Sequence, residues 1–145
     1  MMDNLAGTHT RSILVVDDEL ETAEMLVEMM RVVGYDVFKS SGGRQAIQMI
    51  AREKPDVVLL DIMMPGLSGL DVLCYMRSDP RLVKIPVIIL SAKCMPSDIR
   101  SGLDAGADLY LTKPVSCEDL RDAVDEILSA GGSNPDSNGW HLSKA

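Results

Sequence analysis

Aromatic residues are scarce in this chain: one Trp, one Phe and three Tyr, 3% of 145 residues. A core of any size must therefore be aliphatic, drawn from Val, Ile, Leu and ten Met. Histidine is rarer still, with only His9 and His141, both near the ends. The cysteines, Cys74, Cys94 and Cys117, are odd in number and form no CxxC pair. That pattern argues against a disulfide framework or a zinc site and reads as reduced thiols in a cytosolic protein. Basic residues are in deficit, 14 against 22 acids, for a formal charge of −8. Direct contact with nucleic acid, which needs a basic face, is not expected. No apolar stretch reaches the ~18 residues of a membrane span, and residues 1–12 carry no apolar signal core. The expectation is a soluble, cytoplasmic protein that does not enter a membrane.

What the chain does have is alternation. Hydrophobic content of 46% with 25% charge is that of a globular protein, and the length suits one domain. Short apolar runs at 13–16, 57–60, 87–90 and 109–112 alternate with helical periodicity, and residues 35–40 read as a further, partly polar strand. Leu20, Ala23, Leu26, Val27, Met30 and Val33 mark one helix face, ending at Gly34. Ala46, Ile47, Ile50 and Ala51 mark a second, which must stop before Pro55. Leu70, Leu73, Cys74 and Met76 suggest a third. Ser97 after Pro96 is a candidate cap for a fourth, which stops at Gly106. Ser116 with Asp119 resembles a capping box for a fifth, whose inner face is Leu120, Val124, Ile127 and Leu128. Five strands alternating with five helices predict an α/β fold with a parallel sheet covered on both faces. The domain is expected over 11–130, with a flexible lead over 1–10 and a polar tail over 131–145 that holds the only Trp, Trp140.

Chemistry gathers where the apolar runs stop. Asp17 and Asp18 end one run, Asp61 another, Ser91 a third, and Lys113 follows Thr112 at the end of a fourth. In open parallel sheets ligands bind beyond the carboxyl ends of the strands, where these residues fall. Mg²⁺ takes hard oxygen ligands, one or two carboxylates with waters and a phosphate. Asp18 and Asp61 can supply the carboxylates, with Asp17 orienting them or holding a metal-bound water. Crowded carboxylates repel, so at least one should have a raised pKa. A carboxylate can also be a nucleophile that forms an aspartyl phosphate, and Asp61 is the candidate. Lys113 is expected to pair with Asp61 at rest and with a phosphate oxygen afterwards, and Ser91 to bond another oxygen.

The segments LVVDDE, VLLDIMMPGLSG, VIILSA and GADLYLTKP resemble, in order and spacing, the signatures of receiver domains of bacterial two-component response regulators, the CheY-like family. The resemblance covers about 11–130 and implies a flavodoxin-like doubly wound sheet of strand order 2-1-3-4-5. It implies that a histidine kinase or a histidine phosphotransfer protein donates a phosphoryl group to Asp61. Asp17, Asp18 and Asp61, with the backbone carbonyl of Met63, would hold Mg²⁺, Mn²⁺ serving as an alternative. Lys113 and Ser91 match the family's lysine and switch hydroxyl, Tyr110 its aromatic switch, and Lys113–Pro114 its cis bond. Met63 and Lys93 stand where the family tunes the lifetime of the phosphate. Met63 is apolar and cannot readily orient an attacking water, so a lifetime of minutes or longer is expected. The surface that changes would be helix four, strand five and helix five, where Arg100, Asp104, Asp108 and Arg121 could pair across a symmetric homodimer.

Other readings fit less well. Phosphatases of the haloacid-dehalogenase type place nucleophile and acid two apart on the first strand, whereas Asp17 and Asp18 are adjacent. A flavin-binding relative needs a hydroxyl- or glycine-rich phosphate loop where this chain has Asp-Asp-Glu. A receiver-like interaction module without phosphorylation would have no need of all five key positions. The expectation is a phosphoacceptor switch, not an enzyme beyond self-catalysed phosphorylation and dephosphorylation, of a stand-alone type acting on a downstream effector protein. The alternative is a fragment of a longer DNA-binding regulator.

Overall fold

The computed structural model describes residues 10–129. The lead (Thr10 aside) and the tail expected from the sequence lie outside these residues, as do His9, Trp140 and His141. Five strands and five helices alternate: β1 (Ser12–Val16), α1 (Leu20–Val33), β2 (Asp36–Ser40), α2 (Gly43–Glu53), β3 (Val57–Leu60), α3 (Gly69–Ser78), β4 (Val87–Ser91), α4 (Pro96–Asp104), β5 (Leu109–Thr112) and α5 (Cys117–Ser129). The strands form one parallel sheet in the order β2-β1-β3-β4-β5, the doubly wound arrangement predicted.

Successive strand residues point to opposite faces, so a strand apolar at every position is stable only when both faces are covered. Ile13, Val15, Leu59, Ile88, Leu90 and Leu111 pack on one side with α1 and α5. Leu14, Val16, Val58, Leu60, Ile89 and Tyr110 pack on the other with α2, α3 and α4. The buried members of both clusters are aliphatic but for Tyr110, with Tyr35 and Phe38 packed against them from partly buried positions.

Helix ends follow the punctuation with two exceptions. Gly34 takes the left-handed conformation after α1, φ 118°, and its N–H donates to the carbonyls of Met30 and Arg31. Ser116 Oγ accepts from the Asp119 N–H at the start of α5. Ser97, however, is not the cap of α4: Met95 holds that place in extended conformation, with Pro96 in the first turn. The cap of α3, missed in the sequence, is Ser68, paired reciprocally with Asp71.

Two apolar stripes also need correction. Leu20 sits at the exposed start of α1, 64% accessible, before the helix has turned onto the sheet. On α3 the buried residues are Gly69, Val72, Leu73 and Met76. Cys74 is exposed, because Val72 and Met76 share a face that Cys74 cannot.

The amino end of the sheet is tied by a polar latch. From α3, Arg77 donates to the carbonyls of Gly106, Val83 and Ile85, each at 2.9 Å, and to Asp108 Oδ2 at 3.2 Å. The same Asp108 oxygen accepts the Val87 N–H at 2.8 Å. Asp108 is thus an internal strut between β4, β5 and α3, and it is withdrawn from the proposed dimer surface. Burial is the main cause that raises its pKa, against the Val87 N–H and the Arg77 charge.

Arg77→Ala should cost about 3 kcal/mol, because it strands a half-buried carboxylate and three carbonyls. Urea unfolding measures it; a loss below about 1 kcal/mol would mean that the latch does not hold this end of the sheet.

Candidate functional site

Parallel register carries the acids together. The Asp17 N–H donates to the Ser40 carbonyl and the Asp61 N–H to the Val16 carbonyl, so the ladder of β2, β1 and β3 runs up to the two carboxylates. Val16 stands opposite Leu60, which sets Asp17 and Asp61 side by side one residue on. Likewise Ser91 stands opposite Thr112, and the Lys113 N–H donates to the Ser91 carbonyl at 2.8 Å. Four residues far apart in the chain, Asp17, Asp61, Ser91 and Lys113, thereby share one edge of the sheet.

Asp17, Asp61 and Ser91 are buried, 2%, 6% and 0% accessible, while Asp18 faces solvent. The three carboxylates each bring an oxygen within 4.8 Å of the others, a hard-oxygen group suited to a divalent cation. Lys113 Nζ hydrogen-bonds Asp17 Oδ2 at 2.8 Å and stands 3.7 Å from Asp61 Oδ2. The pairing of Lys113 with Asp61 expected from the sequence is present as an ion pair, and the shorter, hydrogen-bonded contact, which the sequence did not indicate, is with Asp17. Asp17 Oδ1 accepts the Glu19 N–H and Asp61 Oδ1 the Met63 N–H, so both side chains are braced by the loops that follow them.

These surroundings pull in opposite directions. Burial raises the pKa of Asp61 above the usual carboxylate value, and the charges of Asp17 and Asp18 add to it, against the Met63 N–H and the Lys113 ammonium. For Lys113 burial is the largest single influence and lowers its pKa. The hydrogen bond to Asp17 and the charges of Asp61 and Asp17 outweigh it, so the net direction is upward. The lysine stays charged.

Gly69 is a determinant that the sequence marked only as loop punctuation. A Cβ there would strike the Asp61 carbonyl oxygen and lie 2.6 Å from Ile62 Cα. The first turn of α3 lies directly on the backbone that carries Asp61, and only glycine permits the approach.

The other side is built on β4 and β5. Ser91 Oγ accepts the Lys93 N–H at 3.1 Å, and the Tyr110 hydroxyl donates to the Lys93 carbonyl at 2.8 Å. Tyr110 is turned inward, 1% accessible, and its phenol is raised in pKa chiefly by burial. The Lys113–Pro114 bond is cis. The Met63 side chain is half exposed, and Lys93, Arg100, Asp104 and Arg121 lie at the surface. Cys74, Cys94 and Cys117 are free and exposed. Among the described residues no helix is long and apolar enough to cross a membrane.

The family model of the response regulator receiver domain matches residues 13–125. TcrX of Mycobacterium tuberculosis, named a probable transcriptional regulatory protein, is 46% identical over 132 residues, 90% of this chain and 55% of its own length. PhoB of Pseudomonas aeruginosa, named a phosphate regulon transcriptional regulatory protein, is 37% identical over 84% of this chain and 53% of its own. The chain thus spans about half the length of the curated relatives it matches. Among solved structures, the receiver domain of Francisella response regulator 1452 superposes with a TM-score of 0.78 at 32% identity, covering 83% of this chain and 98% of that one. The Vibrio cholerae chemotaxis protein CheY4 gives 0.79 at 25% identity, over 83% and 100%.

The raised pKa of Asp61 has a consequence for stability. Without a divalent cation, the folded protein binds more protons than the unfolded chain between the ordinary carboxylate value and the raised one. Stability attributable to Asp61 is therefore lost as pH rises through that window. In EDTA, Asp61→Asn should be more stable than the parent at pH 7, and the two should converge as pH falls toward about 4. Urea midpoints across pH would measure this; a gain that persists at the acid end would point away from ionisation of Asp61.

Proposed function

This chain belongs to the family of response regulator receiver domains, and on that footing we propose that it carries a phosphoryl group on Asp61. The observation that carries the reading is a buried Asp61 carboxylate at a strand end, flanked by two further carboxylates and one ammonium. The donor is a histidine kinase or a histidine phosphotransfer protein. An oxygen of Asp61 bonds to phosphorus as the donor's N–P bond breaks, and the electron pair stays on the imidazole nitrogen, which takes up a proton. Nothing else is turned over, so the domain is a switch with at most self-catalysed phosphorylation and dephosphorylation.

The donor set fits Mg²⁺ or Mn²⁺: all of its atoms are oxygens, three of them from carboxylates, with an excess of negative charge that one lysine does not cancel. Asp17, Asp18, Asp61 and the backbone carbonyl of Met63 would hold it. When bound, the cation offsets the charge of the carboxylates and of the incoming phosphoryl oxygens. Lys113, now hydrogen-bonded to Asp17, is close enough to Asp61 to turn toward a phosphate oxygen. The Ser91 hydroxyl bonds another, drawing on the loop whose Lys93 carbonyl Tyr110 holds.

The output surface on this reading is α4, β5 and α5, with Arg100, Asp104 and Arg121 exposed on it for an effector protein or a second copy of the chain. Exposed Leu20 and Met25 on α1 flank the site and suit apolar contact with the phosphodonor. Two relatives are named as transcriptional regulatory proteins. With a charge of −8, we assign no nucleic-acid contact to this domain itself. A cytoplasmic place accords with such a donor.

Intact-mass spectrometry after incubation with acetyl phosphate tests the reading. We expect one adduct of ~80 Da that requires Mg²⁺ and is absent in Asp61→Asn; no adduct under any condition would sink it. Decay of the labelled protein should take minutes or longer, because the apolar Met63 cannot orient water, and a lifetime of a few seconds would contradict that role.

A further inference from the structure

Glycine is, proline aside, the poorest residue for a helix interior, yet Gly102 lies inside α4 and is buried. Its surroundings explain the choice. A Cβ at Gly102 would come within 2.8 Å of Tyr110 Cδ2, 3.0 Å of Tyr110 Cε2 and 2.8 Å of Ile89 Cδ1. The contact with Ile89 is the tip of a flexible side chain and can turn away. The contact with Tyr110 is the side of a planar ring, two of its carbons at once, and that ring is anchored by its hydroxyl to the Lys93 carbonyl. Tyr110 fills the space that a side chain at position 102 would need.

We propose that Gly102 is a positioning residue for the switch: by lacking a side chain it gives the Tyr110 ring its inward seat. Through the hydroxyl it thereby sets the backbone at Lys93, whose N–H bonds Ser91. Alanine at this position sets a methyl group against the ring, and the easiest relief is rotation of Tyr110 out to solvent. The contact between α4 and β5 then has two packings, and a single methyl selects between them. The consequence for Ser91 and phosphorylation rests on the function proposed above; the seating of the ring does not.

The test uses the full 145-residue chain with 3-fluorotyrosine at its three tyrosines. In ¹⁹F NMR the Tyr110 resonance is assigned by Tyr110→Phe, and Tyr35 and Tyr75, both partly exposed, serve as references. In the parent the Tyr110 signal should show little shift between H₂O and D₂O. In Gly102→Ala it should acquire a solvent shift like that of Tyr75, while the references stay put. Urea midpoints complete the design: Gly102→Ala should lower the midpoint when Tyr110 is present, and leave it unchanged or raise it in a Tyr110→Ala background, where alanine only improves the helix. A Tyr110 signal still shielded in Gly102→Ala, or an equal loss of stability with and without the ring, would overturn the proposal. Should Gly102→Ala fail to fold, a folded Gly102→Ala/Tyr110→Ala double variant supports it, and an unfolded one overturns it. None of these readouts needs phosphoryl transfer, so failure of Asp61 to label leaves them standing.

Discussion

Like charges held at the ends of neighbouring strands are the constraint around which this molecule is arranged. Parallel register puts Asp17 and Asp61 side by side, with Asp18 beyond them, and burial denies two of the three the water that would screen them. Such a cluster is unfavourable by itself. It persists because the strands beneath it are aliphatic, fully enclosed and paired up to the acids, and because Lys113 reaches across from β5 to Asp17. On the proposed function, this repulsion is what would favour a cation at the site and make it responsive to a phosphoryl group.

The two ends of the sheet are built for opposite purposes. At the amino end, Arg77 and Asp108 hydrogen-bond the Gly106, Val83 and Ile85 carbonyls, the Val87 N–H and each other, tying α3 to the starts of β4 and β5. At the carboxyl end, hydrogen bonds run from side chains to loops: Asp17 to the Glu19 N–H, Asp61 to the Met63 N–H, Ser91 to the Lys93 N–H. Each of those loops follows a residue whose partner would change on phosphorylation. On the proposed function, a change in charge at the carboxyl end would act on these loops while the amino-end hydrogen bonds stay in place.

Glycine serves both ends of this design through close approach. Gly69 lets α3 rest on the backbone of Asp61 and Ile62, and Gly102 lets α4 rest on the ring of Tyr110. Neither has a positive φ, so neither is a turn residue. Their signal in the sequence is weak: Gly69 follows Ser68 in a loop-like stretch, and Gly102 stands in a helix that is otherwise ordinary. Only the neighbours that a side chain would meet reveal why they are there.

What could be read without coordinates was whatever depends on residues near one another in the chain. Apolar runs of strand length, helix faces repeating at threes and fours, and acids, hydroxyl and lysine at run ends led to the sheet and to its chemical edge. Capping and stripes were read less well where two local signals competed, as at Ser97 beside Pro96 and at Cys74 beside Val72. Tertiary structure alone decided the relations between distant segments: that Lys113 hydrogen-bonds Asp17, that Asp108 is spent on Arg77 and not on a partner, and that Gly69 and Gly102 stand where helices cross strands. The reason is geometric. Periodicity and strand-end chemistry are set by the backbone's own repeat, whereas a side chain's partner is set by how helices far away in the chain come to lie across the sheet.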